Sequence, residues 1–317
     1  MISRKSIVRL LHWLGLRSGF SVRRARRQQV MRILMFHAVG REDYPVADFE
    51  AQLRFLRRHF QVLPLADIAS RVRDQLPVLG NEVALTFDDG TRNNFTLAYP
   101  VLQRLGLPAT FFVCPGLVDS HQWLWNHEAR ERLRQLDTPR LKQLSARWGA
   151  SATLSISVDE IVEWMKLMPL DLRQPLEKEI RQLTPGFTPT PQQHHVFDLM
   201  GWEEMKTVDP AVVSIGSHSV THPILSSLEP EALTYEIHES RRLIENNLGR
   251  PVRYFSYPNG ANNRTVVQEV QAGYDGAVIA VPPGFVRKSR HTPHQLPRIS
   301  IARDVPELSW RLHRPSA

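Results

Sequence analysis

Cysteine is nearly absent. Cys114 stands alone among 317 residues, which excludes an internal disulfide and any multi-cysteine zinc or iron–sulfur site and suits a reducing, cytoplasmic setting. No run approaches the roughly 18 uninterrupted apolar residues of a membrane-spanning helix. A glycine-rich dinucleotide or phosphate loop is missing as well, and no internal repeat is visible. With 42% hydrophobic and 23% charged residues, the chain is neither disordered nor collagen-like and is long enough to bury a full core. Acidic residues are missing from one place in particular. Residues 1–32 hold nine basic residues and no acid, whereas the remaining 285 hold 31 basic against 32 acidic, a net −1. The formal charge of +8 therefore belongs to the leader, and nucleic acid is not the expected partner of the body.

Within that leader (residues 1–30), Ile7, Leu10, Leu11 and Leu14 fall at i, i+3, i+4 and i+7, the stripe of an amphipathic helix. Trp13 and the flanking cations suit a membrane interface. Arg9 and His12 interrupt the apolar run and no small-residue cleavage site follows, so a secretory signal is not expected. Peripheral attachment to the inner face of a membrane, a helical cap on the domain, and a partner-binding arm all fit this pattern.

From residue 31 to about 305, short apolar runs alternate with amphipathic stretches. Strands are expected at 32–39, 82–87, 109–114, 212–216, 252–257, 274–280 and 296–301, with helices between them, notably 46–60, 95–105, 229–248 and 264–272. That order indicates βα units and a parallel sheet; with this many strands a closed β/α barrel is expected first, and an open doubly wound sheet, which no glycine-rich loop supports, second. Residues 118–200 break the pattern with helical stretches and a Pro/Thr loop at 184–193. They are too long for an ordinary connection and read as an inserted helical subdomain. Residues 306–317 read as a tail.

Three segments at predicted strand ends carry the chemistry: Thr86-Phe87-Asp88-Asp89-Gly90, Ser217-His218-Ser219-Val220-Thr221-His222-Pro223, and Phe255-Ser256-Tyr257-Pro258-Asn259-Gly260. An Asp-Asp-Gly by itself is most often a turn, and a His-x-x-x-His is most often incidental. Side chains alternate along a strand, so two adjacent carboxylates act together only from a turn. Two histidines four apart on one helical turn would present both imidazoles to one metal ion.

Taken in order, the three segments resemble the polysaccharide deacetylases with a NodB-type domain (carbohydrate esterase family 4). The resemblance implies a distorted β/α barrel and a metal-dependent hydrolase of N-acetylated sugars. Carried over, Asp89, His218 and His222 would bind a divalent metal, most naturally zinc. Asp88 would be the general base, and a backbone N–H at Asn259 would help hold the oxyanion. Two departures matter. Ser256 and Asn259 stand where many members have an Arg, which orients the catalytic Asp, and a Tyr. The family's late Leu-x-x-His is also missing, while Leu34-Met35-Phe36-His37 ends the first predicted strand. Both departures resemble the exopolysaccharide branch that acts on poly-N-acetylglucosamine, and a barrel has no privileged start, so His37 is the expected acid. Arg298, in Leu-Pro-Arg-Ile at a strand end, is a possible carboxylate partner that the sequence leaves open. His194 and His195 are expected to be solvated. Trp123, Trp125 and Trp202 are either sugar platforms or buried. An O-acetyl esterase, a small-amide hydrolase and a catalytically weakened glycan-binding protein are the competing functions.

Overall fold

Five- and six-residue apolar runs without polar alternation predict strands covered on both faces. A computed structural model, which describes residues 4–150 and 157–315, places them so. Small parts of the expected leader, insertion and tail fall outside the described residues. The strands are β1 (Arg32–Phe36), β2 (Gln61–Val62), β3 (Glu82–Phe87), β4 (Ala109–Val113), β5 (Val213–Ser217), β6 (Tyr254–Ser256), β7 (Gly276–Ile279), β8 (Leu296–Pro297) and β9 (Ile299–Ser300). All pairings between them are parallel, in the order β8-β7-β6-β5-β4-β3-β1-β9, with β2 beside the start of β3. The strand expected at 296–301 is divided by Arg298. Its first half pairs with β7 and its second with β1, so this one segment closes the sheet into a distorted β/α barrel.

Period-two alternation sorts the strand residues. Leu34, Phe36, Leu85, Phe87 and Phe111 join the helix residues Phe49, Leu53 and Leu102 in the larger core. Residues of the opposite parity, Ile33, Ala84, Phe112, Tyr254, Val278 and Leu296, form a second core with Leu65, Ile68 and Val72 from helix Leu65–Arg73, which is not among the helices expected from the sequence. Two positions further along the same inner parity lie Thr86, Ser256 and Arg298. Hydrophobic layers thus give way to a polar layer at the C-terminal end of the barrel.

The inserted helices, Trp125–Leu133, Thr138–Arg147, Val158–Met165 and Leu170–Leu183, have a core of their own around Leu133, Val162, Met165 and Leu176. The Pro/Thr loop is shorter than expected: helix Pro191–Phe197 begins inside it, because Thr190 and Gln193 form a reciprocal capping box. The expected tail starts as helix Val305–Arg311, with Leu308 and Leu312 buried.

Arg32 also departs from its expected place. It is fully buried at the start of β1, where its guanidinium donates to the carbonyls of Ala25, Val30, Gly80 and Leu312. It ties the leader and the C-terminal helix to the barrel and is not a free leader cation. Arg32→Met strands at least three well-bonded carbonyls, so unfolding free energy should fall by about 3 kcal/mol in urea titrations.

Candidate active site

Asp88 continues the strand ladder, its N–H donating to the Phe36 carbonyl at 3.0 Å, so its side chain keeps the inner parity of Thr86. Asp89 does not continue it. A positive φ of 70° turns the second carboxylate out of the alternation, and Gly90 follows at φ 64°, where a Cβ would lie 2.9 Å from Val113. Two neighbouring carboxylates therefore face different partners.

Asp88 is buried in a bidentate pair with Arg298, at 2.7 Å from Nη1 to Oδ1 and 2.6 Å from Nη2 to Oδ2. Ser256 Oγ donates to Asp88 Oδ1 at 3.2 Å while accepting from Arg298 Nη2 at 3.1 Å. Burial pushes the Asp88 carboxyl up, but the guanidinium, helped by His218, outweighs it and holds the group well below the usual carboxylate range. The small Ser256 thus leaves room for an arginine arriving from the closing segment, which supplies the missing orienting cation.

Asp89 Oδ1 lies 3.7 Å from Nε2 of both His218 and His222. All three residues are buried, and their donor atoms lie within 4.8 Å of one another. Ligands about 2.1 Å from a common ion are at most about 4.2 Å apart, so the measured 3.7 Å separations fit a metal. His218 Nδ1 donates to the Ser256 carbonyl at 2.7 Å, which leaves the Nε2 lone pair facing Asp89. Burial lowers His222 to about 3, so it is a neutral imidazole. The donor set fits a divalent ion.

The two histidines are not on a helical turn as expected. They occupy an irregular loop with positive φ at Ser219 (64°) and His222 (61°), and their ring centroids are 4.7 Å apart. Buried Glu236 holds that loop, accepting from the N–H groups of Val220 (2.7 Å) and Thr221 (2.9 Å) and from the Thr221 hydroxyl (2.6 Å). Glu236 lies on a π-helical turn, Tyr235–Glu239, within the long helix expected at 229–248.

The insertion is part of the site. Trp125 Nε1 donates to the His222 carbonyl at 3.0 Å, and His127 Nε2 lies 3.6 Å from Asp89 Oδ2. Burial lowers His127 to about 4. Trp123 and Trp125 are buried and Trp202 packs partly buried against the core, so none of the three presents an open face to a sugar ring. His194 and His195 are exposed, as expected, and Cys114 is buried. A cleft of about 820 Å³ between the β1 rim and the insertion is lined by His37, Asp89, His127, Arg130 and Phe197 among others. His37 is exposed there, on the same rim as the carboxylates. Asn259, in a left-handed conformation (φ 53°), instead lines a smaller cavity of about 340 Å³ beside Glu163 and Lys166.

A closed β/α barrel with a buried Asp-His-His group and an ion-paired second Asp on its C-terminal rim defines a hydrolase-like scaffold. The sequence profile of the polysaccharide deacetylases matches residues 77–277, and the chain belongs to that family. YxkH of Bacillus subtilis (strain 168), whose name assigns it to the polysaccharide deacetylases, is 22% identical over 79% of this chain, which spans 64% of that relative's length. Among solved structures, the Streptococcus pyogenes deacetylase PplD, determined with acetate, superposes with a TM-score of 0.60 at 18% identity, covering 91% of this chain and 99% of that one. IcaB from Ammonifex degensii gives 0.57 at 16% identity, covering 90% and 98%. At such identities these likenesses concern the fold.

Proposed function

We propose that the chain is a metal-dependent N-deacetylase of an N-acetylated polysaccharide or of its lipid-linked precursor, acting at the cytoplasmic face of a membrane. The observation that carries this reading is the division of labour between adjacent carboxylates: Asp89 faces the two imidazoles of His218 and His222, while Asp88 is locked ionised by Arg298. A zinc ion held by Asp89, His218 and His222 would supply Lewis acidity and make water a nucleophile near neutral pH. Asp88 takes the proton of the attacking water, with Arg298 and Ser256 fixing its orientation. His37 gives a proton to the departing sugar amine from the cleft side. A backbone N–H at Asn259 is the second oxyanion donor in this reading; its support is that the turn follows directly on Ser256, which touches both Asp88 and His218. Arg298 removes the reason for a catalytically weakened glycan binder. A lone buried thiol and a cationic leader support the location.

Zinc-loaded protein is expected to release free amine from acetylated chitooligosaccharides in preference to acetate from an O-acetyl ester. Predominant ester cleavage would favour the esterase, and metal below about half an equivalent under every loading condition would favour glycan binding alone. His37→Ala should lower kcat about a hundredfold with metal still bound; near-normal turnover would remove His37 from this role.

A further inference from the structure

The leader helix Arg4–Arg17 lies against the C-terminal helix Val305–Arg311, and the face it turns inward is not its apolar stripe. Contact with the body is carried by His12, Gly15 and Leu16. The His12 ring lies 5.2 Å from Trp310, a Cβ on Gly15 would meet Trp310 at 3.5 Å, and Leu16 packs on the main core. The stripe points outward: Ile7 is 48%, Leu10 55%, Leu11 49% and Leu14 48% exposed, joined by Trp13 at 46% and Phe20 at 50%. A helix serving only as a cap would bury that stripe against the domain.

The leader is also cationic. Arg9, Arg17, Arg23, Arg24, Arg26 and Arg27 are all exposed, and none is ion-paired with a carboxylate among the described residues. Arg17 stacks 5.3 Å from the Trp13 ring at the edge of the stripe. An outward apolar face with an exposed indole, on a leader whose arginines have no carboxylate partner among the described residues, matches a lipid surface in both its apolar depth and its anionic headgroups. A protein partner would have to supply an apolar groove and a ring of acids together.

Location gives the surface a purpose. Arg9, Leu10, His12 and Trp13 border a cavity with Arg303 and Asp304, which follow β9, and with Glu307 on the next helix. The strands are parallel, so the end of β9 lies on the same rim as the end of β3 and Asp88. We infer that the leader is an interfacial anchor that docks an anionic bilayer and holds the catalytic rim beside it. Delivery of a bilayer-borne glycan to that rim rests on the deacetylase reading; the docking does not.

The test uses the full chain in co-sedimentation with vesicles of phosphatidylcholine, alone or with about a third phosphatidylglycerol. Binding is expected to the anionic vesicles and to weaken as salt rises. The outward substitutions Leu11→Glu with Leu14→Glu should weaken it at least about tenfold, since each charge would enter the acyl boundary. Activity on soluble oligosaccharide should stay unchanged in that variant. Undiminished vesicle binding would overturn the inference, as would a wild-type dimer that the same variant turns into a monomer, since a second copy would then cover the stripe. Loss of binding without any turnover in either protein would leave the anchor standing and sink the deacetylase reading instead.

Discussion

Asp88→Asn should lower turnover by about a hundredfold to ten-thousandfold, the usual range for removing a positioned general base, and Arg298→Met should approach it. Neither variant merely deletes a contact. Each leaves the other member of a fully buried pair without its counter-charge, which typically costs about 3–5 kcal/mol of stability. Asp88→Asn combined with Arg298→Met removes both charges, so its stability should recover well above the sum of the two losses while turnover stays lost. Arg298→Lys keeps the charge but not the two-pronged geometry, and should recover stability better than rate. With Asp88 as the proposed base, Arg298 would act as a positioning residue, and its signature would be in the pH profile. With the guanidinium present, the folded carboxyl titrates below its ordinary value. Its contribution to stability is therefore complete above the ordinary value of about 3.9 and is lost only as pH falls through the lower folded value. Without Arg298, burial dominates, and the acidic limb of kcat/KM should move up by at least about one unit. An unmoved limb in Arg298→Met would show that the pair does not set the ionisation of the base.

The strands were legible because both barrel faces are covered, and continuous apolar runs such as Glu82–Phe87 are the trace that leaves. The Asp-Asp and His-x-x-x-His residues were legible by type and spacing, although the local backbone was not. Ser219 and His222 adopt left-handed conformations that no residue preference announces. Arg298 lies 210 residues from Asp88, and only barrel closure brings them together. His127, Trp125 and Glu236 sit in ordinary helical stretches and acquire their roles from what packs opposite them. Periodicity in the leader established an apolar face and left open what covers it. That depended on His12, Gly15 and Leu16 being the residues that fit the body.

Metal-stripped protein should lose stability steeply in a pH range where carboxylates are still ionised. His222 and His127 are buried neutral, lowered from 6.5 to about 3 and about 4. A folded value below the unfolded one means that the contribution is complete above about 6.5 and is lost as pH falls. At pH 5 each histidine has given up about 2 kcal/mol, so about 4 kcal/mol should be gone relative to neutral pH, a large share of the 5–15 kcal/mol typical of a folded domain. His12, His59, His291 and His313 are also lowered, chiefly by burial, and add a fall of the same sign. Asp88 contributes nothing to this fall, because its window lies below about 3.9. Urea titrations at neutral pH and at about pH 5 measure the effect, and His127→Gln with His222→Gln should flatten most of the slope. Full stability at pH 5 in the unsubstituted protein would show that these imidazoles are not held neutral. The same lowering bears on the metal. His222, already deprotonated in the folded state, presents no proton to displace, so it should add little to the pH dependence of zinc affinity between pH 7 and about 5, whereas an exposed histidine in its place would lose affinity throughout that range.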